Sequence, residues 1–260
     1  MAAGKRRNKG GSRCSARLRR VLLWVGAAAM VAACALLYVE RHHIIHPRVA
    51  IDRTAYPVIG IDVSNHNGRI DFGRVRADGI SFVIVKASEG KGYRDPSFAH
   101  LVREARRSGL KVGAYHFFRK KADGRKQAAN FAAALAGRRL DLPIVIDVED
   151  WSNDHMVDDA SALARLRAMV AALKARGYKV MIYTNGDGYR KYVRGTELNH
   201  DYLWLCSFTS PDALKHYRHH LQQFSHWGTV DGIDGEVDMN VFNGSRQKWH
   251  SWLVEAGSRK

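Results

Sequence analysis

Apolar and polar positions divide the chain into two unlike parts. Residues 21–39, VLLWVGAAAMVAACALLYV, carry no charge, whereas from Val58 onward short β-rich runs alternate with helical patterns. The runs are VIGIDV (58–63), SFVIVKA (81–87), KVGAYHFF (111–118), PIVIDVE (143–149), YKVMIYT (178–184) and YLWLCSF (202–208). Between them PSFAHLVREARRSG (96–109), GRKQAANFAAALAG (124–137) and DDASALARLRAMVAALKARG (158–177) read as helices. In the last of these, Leu163, Leu166, Val170 and Leu173 recur at helical spacing, opposite Arg165, Arg167 and Lys174. Gly109 and Gly177 stand where helices should end, since glycine tolerates the left-handed turn of a C-cap. Strand, helix, strand at this rhythm predicts a parallel sheet with helices outside it. Late in the chain LQQFS and EVDMNVF read as strands joined by a Gly-rich loop, without long helices. The expected fold class is α/β: a single-domain, irregular, TIM-like β/α barrel with a helix-poor final third, behind an N-terminal transmembrane helix.

Charge sharpens the reading of the first part. The formal net charge is +17, and the first twenty residues hold eight Lys or Arg and no acid, leaving +9 for the other 240. Such a tail could bind nucleic acid, but the uncharged run that follows argues instead for a membrane partner and no nucleic acid. Nineteen helical residues span about 28 Å, close to the roughly 30 Å hydrocarbon core of a bilayer. A basic flank before the span keeps the N-terminus cytoplasmic. The expected location is therefore the inner (cytoplasmic) membrane, single-pass, with the remainder periplasmic or extracellular. Ala33-Cys34-Ala35 resembles a signal-peptidase site, and Val31 to Cys34 loosely resembles a lipoprotein signal. Yet the apolar run continues to Val39 and exceeds the roughly 7–15 residues of a signal core, so an uncleaved anchor is expected.

The resulting organisation is a basic tail (1–20), an anchor (21–39), a linker (40–57), a catalytic barrel (58–254) and a short tail (255–260). The linker's three histidines, irregularly spaced and without acids at ligand spacing, read as a solvated basic neck. Of Cys14, Cys34 and Cys206, only the last lies in the exported part, where no disulfide can form, and it is expected to pack in the core. Stability must then come from apolar burial, and the protein is expected to be a monomer.

The chemistry concentrates in PIVIDVEDW (143–151). Side chains alternate along a strand, so Asp147 and Glu149 share one face, about 6.6 Å apart, with Ile146 and Val148 turned towards the helices. Two buried acids on one face are costly unless they serve a purpose. Acids at the carboxyl ends of barrel strands face the mouth where active sites form, and Asp62 and Asp238 extend the set. Glycoside hydrolysis needs such a group, with one carboxyl kept protonated by neighbouring anions and by apolar surroundings such as Trp151. The competing reading is that these acids cap helices or meet Lys and Arg. No metal and no cofactor is expected, because no His or Cys stands at ligand spacing beside them.

The segments VIGIDVSNHNGRIDF (58–72), VKASEGKGYRDPSF (85–98), GAYHFF (113–118), PIVIDVED (143–150), MIYTN (181–185) and GIDGEVDMNVFNG (232–244) together resemble the glycoside hydrolase family 25 lysozymes, in the family's order. The resemblance implies a β/α-barrel muramidase that cleaves the β-1,4 bond between N-acetylmuramic acid and N-acetylglucosamine in peptidoglycan glycan strands, generally without a metal. It implies that Glu149 is the general acid and that Asp147 orients the substrate's acetamido group as that group attacks the anomeric carbon. This would be substrate-assisted retention. Asp62 and Asp238 match the other two acids of the cleft, and Asp150 neither role. Tyr115 and Tyr183 match aromatic residues of the cleft floor. Trp204 matches a strand-end aromatic that stacks on sugar, though core packing is an equal reading of it.

The chain departs from the family pattern at Asn67, where glutamine is usual, with His66 before it, at Phe72, where tryptophan is common, and at Cys206 and Ser207. None is one of the four acids. His216, His219 and His220 would share one face if LKHYRHH were helical, and read as a basic surface rather than ligands. Neither a phosphate-binding glycine loop nor a nucleophile elbow is present. Two alternatives stay open: a non-catalytic glycan-binding protein, and a hydrolase of another N-acetylhexosamine polymer such as chitin.

Overall fold

The computed structural model describes residues 11–45, 49–150, 153 and 156–257, which fall into two units divided at Pro47/Arg48. The first ten residues, residue 46 of the linker, Trp151 and residues 258–260 lie outside the described residues, as do the side chains of Cys14, His42 and His43. In the first unit a single helix, α1 (Gly11–Ile45), contains the stretch Leu18–Val39, which is long and apolar enough to cross a membrane by length and composition.

The second unit is a closed barrel. Its strands are β1 (Ile59–Val63), β2 (Ile80–Glu89), β4 (Lys111–Phe117), β5 (Ile144–Asp147), β6 (Val180–Asn185), β7 (Tyr202–Cys206), β8 (Leu221–Gly228) and β9 (Val237–Phe242). A two-residue strand, β3 (Tyr93–Arg94), folds back on the end of β2. β1 pairs with β2 on one side and β9 on the other, which closes the ring. Neighbouring barrel strands are parallel throughout except at β9, which runs against both β8 and β1.

The helices α3 (Phe98–Arg107), α4 (Gly124–Leu135) and α5 (Asp159–Lys174) fall between strands, as the periodicity predicts, and a short helix it did not predict, α2 (Phe72–Ala77), lies between β1 and β2. Gly109 and Gly177 adopt φ of 80° and 82°, the left-handed turn expected after α3 and α5. After β6 the chain makes only a brief α6 (Gly186–Gly188), a π turn at Tyr189–Val193 and two 3-10 turns before β8. The helix-poor final third is thus present, with one exception. A last helix, α7 (Arg246–Ala256), starts from the Ser245 side chain, which accepts from Lys248 N.

Strand alternation divides the core into two layers. Ile61, Val83, Val85, Ile146 and Ile182 point outward and pack with Leu101, Phe131, Leu166 and Leu173 of the helices. Phe82, Ile84, Val145, Met181, Tyr183 and Trp204 point into the barrel. The inner layer is closed below by α7, whose Trp249 lies 5.2 Å from the Phe82 ring and 5.1 Å from Phe242. One end of the barrel is therefore an aromatic plug, and only the other end can open into a site.

Where α4 meets α5, Gly124 lets the backbones touch: a Cβ there would collide with the Arg165 carbonyl oxygen. We expect Gly124→Ala to cost about 2 kcal/mol through overpacking, lowering Tm by roughly 4–8 °C for a domain of this size. A thermal melt within a degree of wild type would contradict this.

The histidine segment differs from expectation. Ser210 starts a 3-10 turn at Pro211–Leu214, after which the chain turns inward to begin β8, so His216, His219 and His220 share no helical face. His219 is buried, and His220 stacks on Trp252 at 5.9 Å. Burial holds the His220 imidazole down at about 4, so it is neutral and contributes nothing to a basic surface.

Candidate active site

A cleft of about 750 Å³ opens at the carboxyl ends of the parallel strands. All seven residues expected from the sequence line it: Asp62 from β1, Tyr115 from β4, Asp147 from β5, Glu149 just beyond, Tyr183 from β6, Trp204 from β7 and Asp238 from β9. Because β9 is antiparallel, its second residue reaches the same mouth as the last residues of the others, and Asp238 sits opposite Asp62 in the β1–β9 register.

The β5 ladder ends at Asp147, two residues short of the expected strand. Backbone bonding nevertheless continues, with Val148 N donating to Tyr183 O at 2.9 Å, so the alternation carries Glu149 to the cleft side. The turn that follows is held by Asn153, whose Nδ2 donates to Glu149 O at 2.7 Å and to Phe118 O at 3.0 Å. Asp150 points the other way, into an ion-pair cluster with buried Lys120 and with Lys191 at 2.6 Å.

A hydrogen-bond relay crosses the floor. Tyr183 OH donates to Gln223 Oε1 at 2.6 Å and lies 3.4 Å from Glu149 Oε1. Gln223 Nε2 donates to Asp62 Oδ2 at 3.0 Å, and Asn240 Nδ2 donates to the same oxygen at 2.7 Å. Burial and the charge of Asp238 still push the Asp62 carboxyl well above the ordinary range. Asp147 has less support: its Oδ1 is buried with no hydrogen-bond partner among the described residues. Burial, then the charges of Glu149 and Asp62, lift its carboxyl well above the usual value. Burial likewise pushes up the phenols of Tyr115 and Tyr183, which stay neutral donors. Trp204 answers to both of its readings, since it belongs to the inner core cluster and also lines the cleft, its ring 4.4 Å from Tyr183.

The sequence reading missed part of the wall. Asp238 Oδ1 meets His226 Nδ1 at 2.6 Å. Burial opposes charge on His226, but the bond to Asp238 outweighs it and raises the imidazole to about 10. Glu89, at the end of β2, is held by Lys86 Nζ at 2.8 Å and by Arg119 Nε at 2.8 Å, with the Arg119 guanidinium 4.8 Å over the Phe117 ring. The rule that selected Asp62, an acid at a strand's carboxyl end, would have found Glu89. Gln223 shares the inward face of β8 with Leu221, and an amide among inward positions is a weaker signal.

Cys206 packs against the inner core layer, as expected, but is not confined to it. It is half-buried and lines the cleft, because even-numbered residues of β7 face inward, and burial keeps its thiol above the ordinary value. His66 lines the cleft as well, whereas Asn67 closes the local turn, its Oδ1 accepting from Ser64 N at 2.9 Å. Among the described residues no group of three His, Cys, Asp or Glu side chains could hold a metal ion.

A closed β/α barrel, plugged at one end and carrying clustered acids over an aromatic floor at the other, defines a carbohydrate-cleaving hydrolase. The profile described as glycosyl hydrolases family 25 matches residues 61–233, ending five residues before Asp238. Lysozyme M1 of Streptomyces globisporus is 33% identical over 205 residues, 72% of this chain and 68% of that protein. Uncharacterized protein YegX of Escherichia coli K12 is 32% identical over 210 residues, 76% of this chain and 74% of that one. The structure of a family 25 glycosyl hydrolase from Bacillus anthracis superposes with a TM-score of 0.70 at 28% identity, covering 79% of this chain and 96% of the other. The chain belongs to glycosyl hydrolases family 25 and is a lysozyme-type glycoside hydrolase.

Proposed function

We propose that the protein hydrolyses the β-1,4 bond between N-acetylmuramic acid and N-acetylglucosamine in peptidoglycan, by a retaining, substrate-assisted route, from a membrane-anchored position. The observation that carries this reading is the Asp147/Glu149 pair on one cleft wall, with Asp147 lifted by burial and by its neighbour's charge. Two carboxyls so placed repel as anions, which favours one proton on the pair; with substrate bound, the acetamido N–H donating to Asp147 favours its carboxylate and leaves that proton on Glu149.

Glu149 gives that proton to the glycosidic oxygen as the bond from the anomeric carbon to that oxygen breaks. The acetamido oxygen of the same sugar closes on the anomeric carbon, while Asp147 accepts the acetamido N–H and steadies its growing positive charge. A water then attacks the anomeric carbon from the vacated side, delivers its proton to Glu149 and reopens the ring, with net retention. Asp62 and Asp238 hold sugar hydroxyls and the developing charge, and Tyr115, Tyr183 and Trp204 present faces and donors to the pyranose. The catalytic step needs no cofactor. The support for anchoring is the apolar stretch Leu18–Val39 behind a basic tail, which by the positive-inside rule sets the barrel outside the cytoplasm.

Proton NMR of a digest by the full chain in detergent tests the route. The β anomer should appear first at the new reducing ends; α first overturns retention. Turnover of chitin oligomers matching or exceeding that of peptidoglycan would favour the chitinase alternative, and binding of peptidoglycan without cleavage the non-catalytic one. Alkaline carbonate should leave the protein in the membrane pellet, and a mature form starting at or after Cys34 would overturn the anchor.

A further inference from the structure

Beside the acid cleft lies a second hollow of about 480 Å³, and Cys206 and Ser207 form the wall the two share. The cleft is lined by Asp62, Glu89, Asp147, Glu149 and Asp238 alongside Lys86, Arg119 and His226, whereas the hollow is lined by Arg190, Arg194, His216 and the rings of Tyr189 and Tyr217, with no acid.

Local structure explains the grouping. Asn185 Oδ1 accepts from Asp187 N at 3.1 Å and Gly188 N at 3.0 Å, which starts the turn directly after β6. The π turn follows, closed by Arg194 N donating to Tyr189 O at 2.8 Å, and Arg190 and Arg194 come four residues apart around it. Asp187 lies 3.1 Å from Arg190 but also 2.8 Å from Lys191, so one carboxylate serves two cations. Arg194 makes no side-chain hydrogen bond or ion pair among the described residues. Tyr189 and Tyr217 meet edge-on at 5.5 Å and form the apolar side of the hollow.

We propose that this hollow receives the peptide stem of the substrate, with Arg194 and Arg190 holding a stem carboxylate and the two tyrosines flanking its apolar side chains. The inference rests on the muramidase reading above. The stem hangs from the lactyl group of a muramoyl sugar, and because the hollow shares its Cys206–Ser207 wall with the cleft, a stem leaving a sugar in the cleft has this hollow beside it. Guanidinium groups suit this partner because their fork matches a carboxylate with two parallel hydrogen bonds. In a stem-bearing strand the lactyl carboxyl is consumed in the amide to the stem, so the stem's own carboxylates are the anions that the two guanidinium groups can pair with.

The test compares peptidoglycan strands bearing stems with the same strands stripped of peptide by an amidase and capped at the freed lactyl carboxylates as methylamides, using full-length wild type, the Arg190→Ala/Arg194→Ala double variant and Arg194→Lys. In the double variant the ratio of kcat/KM on stem-bearing to stripped strands should fall about tenfold, through KM on the stem-bearing substrate, and Arg194→Lys should fall less. An unchanged ratio overturns the proposal and leaves the muramidase reading standing. A wild type that cleaves neither substrate overturns both.

Discussion

Glu149→Gln should lower kcat on peptidoglycan by about 10³-fold, the scale of a lost general acid. Glutamine has the same shape, and its amide oxygen can still face Tyr183 OH, which lies 3.4 Å from Glu149 Oε1 in the native protein. The Asn153 clamp on the backbone carbonyl is untouched, so the turn after β5 keeps its form. Only the ability to give a proton and take it back is removed. Reducing-end release under saturating substrate, with a melt to show an unchanged fold, is the measurement. Turnover within tenfold of wild type would mean that the proton comes from another group.

Asp147→Asn should make the protein slower and more stable at once. The loss of a group that accepts the acetamido N–H and balances its charge should reduce kcat by about 10²-fold or more. Stability moves the other way, because the native carboxyl is buried, has an orphaned Oδ1 and stands beside Glu149. Its folded pKa is raised above the unfolded 3.8, so the fold favours the protonated form. The associated stabilisation is therefore complete at pH below 3.8 and is lost as pH rises through the folded value. An asparagine is neutral at every pH, so its advantage should be small in acid and should grow towards neutrality. A gain of about 1 kcal/mol or more at pH 7 corresponds to a Tm rise of roughly 2–4 °C for a domain of this size. Paired melts at pH 4 and pH 7 check it, and a lower Tm for the variant at neutral pH would contradict it.

Much of this site was legible because its signals are local. Period-2 alternation in PIVIDVE put Asp147 and Glu149 on one face, and the strand–helix rhythm put that face in a barrel mouth. Asp62 and Asp238, far apart in sequence, became neighbours through the closing β1–β9 pair. The parts missed depend on tertiary closure. Helix α7 carries Trp249, Trp252, Leu253 and Ala256 at helical spacing, yet its place under the barrel follows from ring geometry, not from any strand–helix alternation. His226 is raised chiefly by Asp238 of the next strand, which faces it at 2.6 Å, with Cys206 of β7 adding to the effect. Cys206 read as core and does pack against the inner layer, but the inward parity of β7 also gives it to the cleft, which a lone cysteine in the sequence does not signal. The histidines of 216–220 failed as a helical face because Pro211 and the entry to β8 break the periodicity on which that reading depended.

None of the departures from the family pattern falls on the four acids: Asn67 closes the turn after β1, and Phe72 is buried in the outer core. His66, Cys206 and Ser207 line the cleft, and Cys206 and Ser207 also wall the basic hollow beside it. Differences at these positions change the lining of the cleft and leave Glu149, Asp147, Asp62 and Asp238 in place.

The central claim is that this cleft cuts the muramoyl side of the glycan repeat. Full-length protein in detergent should be incubated with purified peptidoglycan, the new ends reduced with borohydride, and the fragments sequenced by mass spectrometry. Reduced N-acetylmuramic acid should stand at every new end. Reduced N-acetylglucosamine at those ends, or no new ends from any peptidoglycan chemotype, would contradict it.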